Sequence, residues 1–338
     1  MNKPVFNRPV LYTSLLSEQI MNVNGNHAIY SSVVADEFTI RTPDALLNGL
    51  ATQLYIQNCI PDLINPGKIQ LCDIQHLLAS IKIASQGANL EVLLRCPHCK
   101  ANDPYEINLQ QSTPFLSAKK WFSPLTIDNF VITFRSPTYE EFTHFSIEEF
   151  KISKQLYQIS IMETPDDYND AIASLLSQKI KLNLDFETLC ISSVAIDENT
   201  TVINHNHIVE WFSQCEIFIQ KQILEYLDAA KKEGWLTDFS IDCSECKKNF
   251  KVPIDLDPCV QFRNQLISAS ESEVLDIIKR YGEETKALSN DLLKMCRYMH
   301  GSISYSEAYA LTTHERECIA KIIEANVELT KESGMSFM

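Results

Sequence analysis

Apolar residues recur at helical spacing in two distant stretches of the chain. Ile74, Leu77, Leu78 and Ile81 fall three and four positions apart, the period of a helix with one buried face. Ile217, Ile223, Leu224 and Leu227 repeat that period less regularly. Ahead of each stretch, an apolar helical pattern runs to a Cys-Ile pair, at Cys59 and at Cys190, and a polar loop follows. Further upstream, "FTIRTPDALLNGL" and "ITFRSPTYEEFTHF" share one order: a short alternating strand, an arginine (Arg41, Arg135), Thr-Pro or Ser-Pro, then a helical pattern. Thr42 and Ser136 are the predicted N-caps, with Pro43 and Pro137 at the first helical position, where a missing N–H costs nothing.

After its second helix, each stretch runs extended into the same short motif. "CPHCKANDPYEINL" begins at Cys96 and "CSECKKNFKVPIDL" at Cys243. Aligned without a gap, they share both cysteines, Lys100 with Lys247, Asn102 with Asn249, Ile107 with Ile254 and Leu109 with Leu256. Strand, C-x-x-C turn, strand is a zinc knuckle that offers two thiolates, whereas structural Zn²⁺ takes four ligands in a tetrahedron. The pattern therefore predicts a duplicated unit, residues 38–115 and 131–262, the second copy enlarged by a helical insertion. Facing each other across a pseudo-twofold axis, the copies would close one split zinc ribbon on Cys96, Cys99, Cys243 and Cys246 around a single Zn²⁺. Two separate or partial sites, helped by His98 or His144, and no metal at all remain as alternatives. A redox C-x-x-C pair would open a helix in a thioredoxin-like setting, and neither hook does.

The expected fold class is α+β. Residues 1–37 form an N-terminal arm, 116–130 a linker and 263–338 a C-terminal helical region. That last region has no hook. "SESEVLDIIKRYGEETKALSNDLLKMCRYMHG" reads as a long amphipathic helix stopped near Gly301, and Ser304 to Glu307 and Thr312 to Glu315 read as capping boxes. The last helix places Ile319, Ile322, Ile323 and Val327 on or near one face, and Met335, Phe337 and Met338 lie beyond it. These seven residues are the expected partner-docking surface.

Composition narrows the function. With 338 residues and 45% hydrophobic content the chain supports an ordinary core. No apolar run approaches the roughly 20 residues that span a bilayer, so no membrane role is expected. "MNKPVFNRPVLYTSLLSEQ" lacks the pattern of a signal peptide. A net charge of −15 disfavours nucleic acid as partner, since holding a phosphate backbone takes a basic surface. Eleven cysteines in a chain without a secretion signal suggest reduced thiols; Cys59, Cys72, Cys190, Cys215, Cys296 and Cys318 are expected to be buried, with Cys259 also structural. Neither nucleotide fingerprint is present. "HEREC" puts Cys318 where H-E-x-x-H needs its second histidine, and "HNH" at His205–His207 lacks the ββα-metal setting of a nuclease. No catalytic constellation emerges, and the expectation is a protein that is not an enzyme.

A family resemblance sharpens this. "CIPDLINPGKIQLCDIQHLLASIKIASQGANLEVLLRCPHC" and the second hook with "VPIDLDPCVQF" resemble baseplate hub proteins of T-even-like contractile-tailed phages. "YMHGSISYSEAYALTTHERE" is similar to the C-terminal part of hub-assembly proteins of such phages. The resemblance implies a structural component or assembly chaperone of the hub, acting with other hub and tail proteins in the host cytoplasm and carried into the virion if it stays. It leaves self-association open. The helical insertion in the second copy departs from the pattern, so contacts are not transferred. The competing class is a zinc-ribbon regulator that contacts nucleic acid or the transcription machinery; "CKKNFKV" is its sole basic feature beside a hook.

Overall fold

The computed structural model describes residues 10–23, 25–162, 168–196 and 200–333. Strands β1 (Leu11–Thr13) and β2 (His27–Ile29) pair antiparallel around the short helix α1 (Leu16–Ile20). Helices α2 (Val34–Thr39), α3 (Pro43–Leu47), α4 (Leu50–Cys59) and α5 (Leu71–Gln86) lead to the hairpin of β3 (Asn89–Arg95) and β4 (Asn102–Asn108). Next come α6 (Leu109–Ser112), β5 (Leu125–Ile127) and β6 (Phe130–Phe134), then the long pair α7 (Tyr139–Ser160) and α8 (Asn169–Leu189). Strands β7 (Ile191–Ala195) and β8 (Thr201–Val202), helices α9 (His205–Gln214) and α10 (Ile217–Glu233), and the hairpin of β9 (Leu236–Asp242) and β10 (Asn249–Ile254) follow. The chain then turns helical: α11 (Pro258–Ile267), α12 (Glu271–Tyr298), α13 (Tyr305–Tyr309) and α14 (Thr313–Ser333).

This is a mixed α and β fold in which helices dominate and the sheets are small. The largest sheet is antiparallel in the order β5-β6-β7-β8. Its inner face meets α9 and α10 in a core of Ile132, Val194, Ile208, Phe212, Ile223 and Leu227. A second core lies along α5, where Ile74, Leu77, Leu78 and Ile81 pack against Ile29, Ile56 and Tyr139. The helical spacing of those four residues is thus the buried stripe that it predicts. The stretch read as a linker carries a turn at Lys119–Phe122 and strand β5, with Trp121 only 1% exposed in the sheet core.

Several local expectations are corrected. The alternating strand before Arg41 is helix α2. Three residues of alternation cannot set a period, and Asp36 settles the matter by accepting the Val33 backbone N–H at 2.8 Å, which closes the first helical turn. Its counterpart before Arg135 is a strand, β6. Thr42 and Pro43 do occupy the N-cap and first position of α3, but Ser136 does not cap α7. Thr138 does, through a capping box: Glu141 N donates to Thr138 Oγ1 at 3.3 Å and Thr138 N to Glu141 Oε2 at 2.8 Å. Ser136 Oγ instead accepts the Cys72 N–H at 3.1 Å, so it caps the start of α5 from another element. On α10 the buried face is Ile219, Ile223, Leu227 and Ala230; Ile217 and Leu224 are exposed. Three cysteines expected inside are not fully buried: Cys215 and Cys296 are half-buried and Cys318 is exposed.

One buried carboxylate ties three elements together. Asp257 is the N-cap of α11 and is 2% exposed. It accepts Thr52 Oγ1 of α4 at 2.5 Å, Tyr139 Oη of α7 at 2.7 Å and the Cys259 N–H at 2.9 Å. Nothing in the local sequence marks that convergence, because its members stand far apart in the chain.

Candidate metal centre

Each hook is the turn of a hairpin, Cys96 following β3 and Cys243 following β9. The two turns carry the same internal bonds. Cys96 N donates to Ala101 O at 2.8 Å and Lys100 N to Cys96 O at 2.9 Å. Cys243 N donates to Lys248 O at 3.0 Å and Lys247 N to Cys243 O at 3.0 Å. Lys100 (φ 66°) and Lys247 (φ 58°) both adopt the left-handed conformation, which costs a non-glycine residue about 1–2 kcal/mol. The shared Asn102 and Asn249 then open β4 and β10, and the shared Ile107 and Ile254 are buried.

The hairpins meet turn to turn. Cys96 Sγ lies 3.7 Å from Cys246 Sγ, and Cys99 Sγ 3.5 Å from Cys243 Sγ, so both contacts cross between hooks. All four sulfurs lie within 4.8 Å of one another. A tetrahedral Zn²⁺ with Zn–S bonds of about 2.3 Å sets its sulfurs about 3.8 Å apart, so the donor set and its spacing fit such an ion. Cys96 and Cys243 are fully buried, Cys246 is half-buried and Cys99 is exposed. Below the sulfurs, Tyr105 and Phe250 meet edge to face at 6.0 Å. At the rim, Ser244 donates its N–H to Tyr105 Oη at 3.3 Å and its hydroxyl to the Asp103 carboxylate.

Backbone donors shape the charge of the cluster. The Cys246 N–H, 3.5 Å from Cys243 Sγ, is the chief cause that pulls the Cys243 thiol down to about 6, against desolvation. Desolvation also opposes ionisation of Cys96, but the N–H groups of Cys99 and His98 outweigh it and hold that thiol below its usual range. Cys99 goes the other way: the Ala101 N–H lowers it, yet desolvation and the neighbouring thiols bring it up to about 12. Four sulfurs this close ionise together only around a cation. Four neighbouring cysteines of this kind could bind a metal ion.

His98 is exposed and gives its backbone N–H, 3.4 Å from Cys96 Sγ; His144 is exposed on α7. His205 and His207 are exposed at the start of α9. On α14, Ile319, Ile323 and Val327 are half-buried, and Ile322 is 51% exposed. That helix is tied back to α2 through Arg316 and Glu37 at 3.0 Å, and Leu311, just before it, accepts the Val34 N–H at 3.0 Å. Met335, Phe337 and Met338 lie outside the described residues.

A comparison with known families places this geometry. One family model, described as T4 bacteriophage base plate protein, matches residues 40–256. The chain belongs to that family. The matched span opens just before α3 of the baseplate protein and closes just after β10, so it encloses both hooks and every element between them. Helices α11 to α14 of the baseplate protein follow it. No curated protein and no solved structure matches the chain. Among the described helices, none is long and apolar enough to cross a membrane.

Proposed function

We propose that this baseplate protein is a non-enzymatic component or assembly factor of the baseplate hub, built on two related halves stapled by one Zn²⁺. The observation that carries the reading is that the family match encloses both cysteine hooks, whose sulfurs meet in a tetrahedron-sized cluster. Cys96, Cys99, Cys243 and Cys246 would hold the ion as thiolates. Zinc supplies a cross-link here and no reaction chemistry, because four protein ligands leave no open position. The matching bonds of the two turns support a duplication of residues 38–115 and 131–262. The acidic balance favours protein partners, other hub and tail subunits, over nucleic acid.

Assembly in the host cytoplasm, with or without retention in the virion, follows from this role. The test is a tagged protein recovered from infected cells, with mass spectrometry of purified virions alongside. Co-purification with hub components is expected. Recovery without any tail protein, together with tight DNA binding at physiological salt, would shift the reading to the zinc-ribbon regulator.

A further inference from the structure

A groove of about 690 Å³ opens between α2, α12 and α14. Its apolar wall includes Tyr298, which is 40% exposed, and the half-buried Ala320 and Ile323. The rim is charged, and its cations are all engaged. Arg316 and Arg41 pair with Glu37 at 3.0 and 3.3 Å, and Lys294 pairs with Asp291 at 3.5 Å. Glu317 and Glu324 are left over, exposed and without an ion pair among the described residues. The groove is therefore apolar within and acidic at one edge.

A segment of matching chemistry stands at the other end of the chain. Residues 1–9, "MNKPVFNRP", lie outside the described residues. They hold the apolar Val5 and Phe6, the cations Lys3 and Arg8 and no acid, in a chain whose net charge is −15. Pro4 and Pro9 favour extended backbone around them. The described chain also ends in the right place. Val10 N donates to Ile29 O at 2.8 Å, and β1 runs antiparallel to β2 with Leu11 opposite Ile29. The strand direction at Val10 thus points the preceding chain the way that residues 30–33 run. Those residues lead to Val33, bridged to Thr312 just before α14, and then to Glu37 at the groove. An extended chain in that register would bring Asn7 level with Val33 and leave residues 1–6, about 20 Å at roughly 3.3 Å per residue. The α14 side of the groove, from Arg316 to Glu324, is about 12 Å long at roughly 1.5 Å per residue. Reach and charge both suit this segment.

We propose that residues 1–9 of the chain itself occupy this groove, with Val5 and Phe6 against Tyr298, Ala320 and Ile323 and Lys3 beside Glu317 and Glu324. The chain then covers part of its own α14 face, and any partner that docks there must first displace the segment. The proposal does not rest on the baseplate reading. Its test uses the full chain, with p-benzoylphenylalanine in place of Phe6 and unlabelled and ¹⁵N-labelled protein mixed in equal amounts. After irradiation and digestion, mass spectrometry is expected to find position 6 joined to peptides of α12 or α14 within the same chain, at a yield unchanged by tenfold dilution. Cross-links to other elements, or no cross-link, overturn the proposal. Cross-links between labelled and unlabelled chains overturn it too, because a second copy would then fill the groove. Lys3→Glu with Arg8→Glu should cut the yield about threefold or more at low ionic strength, and by less at 1 M salt; an undiminished yield overturns the pairing with Glu317 and Glu324. A second measurement needs no photoprobe. Phe6→Ala should shift the methyl resonances of Ala320 and Ile323 in the full-length protein, and unmoved resonances count against the proposal.

Discussion

Two of the junctions between distant parts of the chain are built differently. At the hook end, Cys96, Cys243 and Phe250 are the fully buried members of a small apolar cluster, and four thiols do the linking. At the other joint, α4, α7 and α11 meet on the Asp257 carboxylate inside helical packing that includes Phe262, Leu266 and Leu46. A joint with little apolar area needs a strong point-like link, which a structural metal supplies. A joint with an apolar surround can use a buried carboxylate, provided every donor around it finds an acceptor.

The largest way to break this comparison is to remove the proposed metal link. Structural zinc contributes on the order of 10 kcal/mol in small domains. Cys246→Ser, or a strong chelator, should release one equivalent of zinc and strip amide-exchange protection from β3, β4, β9 and β10 while the α5 and α10 cores keep theirs. Two equivalents of zinc by elemental analysis, or full zinc in the variant, would sink the shared site. Acid should do the same, since thiolates bind metal and thiols do not.

Asp257→Ala breaks the other joint. It strands Thr52 Oγ1, Tyr139 Oη and the Cys259 N–H and removes the cap of α11, so a loss of about 3 kcal/mol in denaturant unfolding is expected, with zinc content unchanged. Zinc loss in this variant would mean that the joints are not independent.

A smaller effect lies outside both joints and shows in the pH dependence. Burial pushes Asp73 from 3.8 up to about 6, against its bonds from Ser17. A carboxyl raised in the folded state contributes stability that is fully present below about pH 4 and is lost as pH rises through about 6. The sign is opposite to that of the thiolates. Asp73→Asn should therefore flatten the pH profile between 4 and 6 and be more stable than wild type at pH 8, by about 2–3 kcal/mol at most. An unchanged slope in thermal melts would count against it. Smallest of all, Ser136→Ala should cost about 1 kcal/mol by uncapping α5, and melting temperatures would show it; a value near zero would mean that water replaces the hydroxyl.

How much of this was legible beforehand differs by element. The α5 stripe was readable because four apolar residues at helical spacing all bury. The α10 pattern marks the buried Ile223 and Leu227 but also includes the exposed Ile217 and Leu224 and leaves out the buried Ile219. Phe38–Ile40 looked like a strand because three residues carry too little period, and the Asp36 bond that decides the matter lies outside them. Ser-Pro at Ser136 looked like a helix start, but the stronger capping box sat two residues later.

The sequence by itself determined the hooks. Ligand type, C-x-x-C spacing and the turn bonds all fall within a few residues, and the bond from Cys96 N to Ala101 O repeats from Cys243 N to Lys248 O. Tertiary structure alone decided which hook faces which, that Ser136 caps a helix from another element, and that Asp257 gathers three elements. Local patterns are set by backbone geometry over one or two turns and leave a trace in spacing. The approach of Cys96 to Cys246, or the hydrogen bond from Thr52 to Asp257, depends on how whole elements pack, and packing leaves no mark on either short segment.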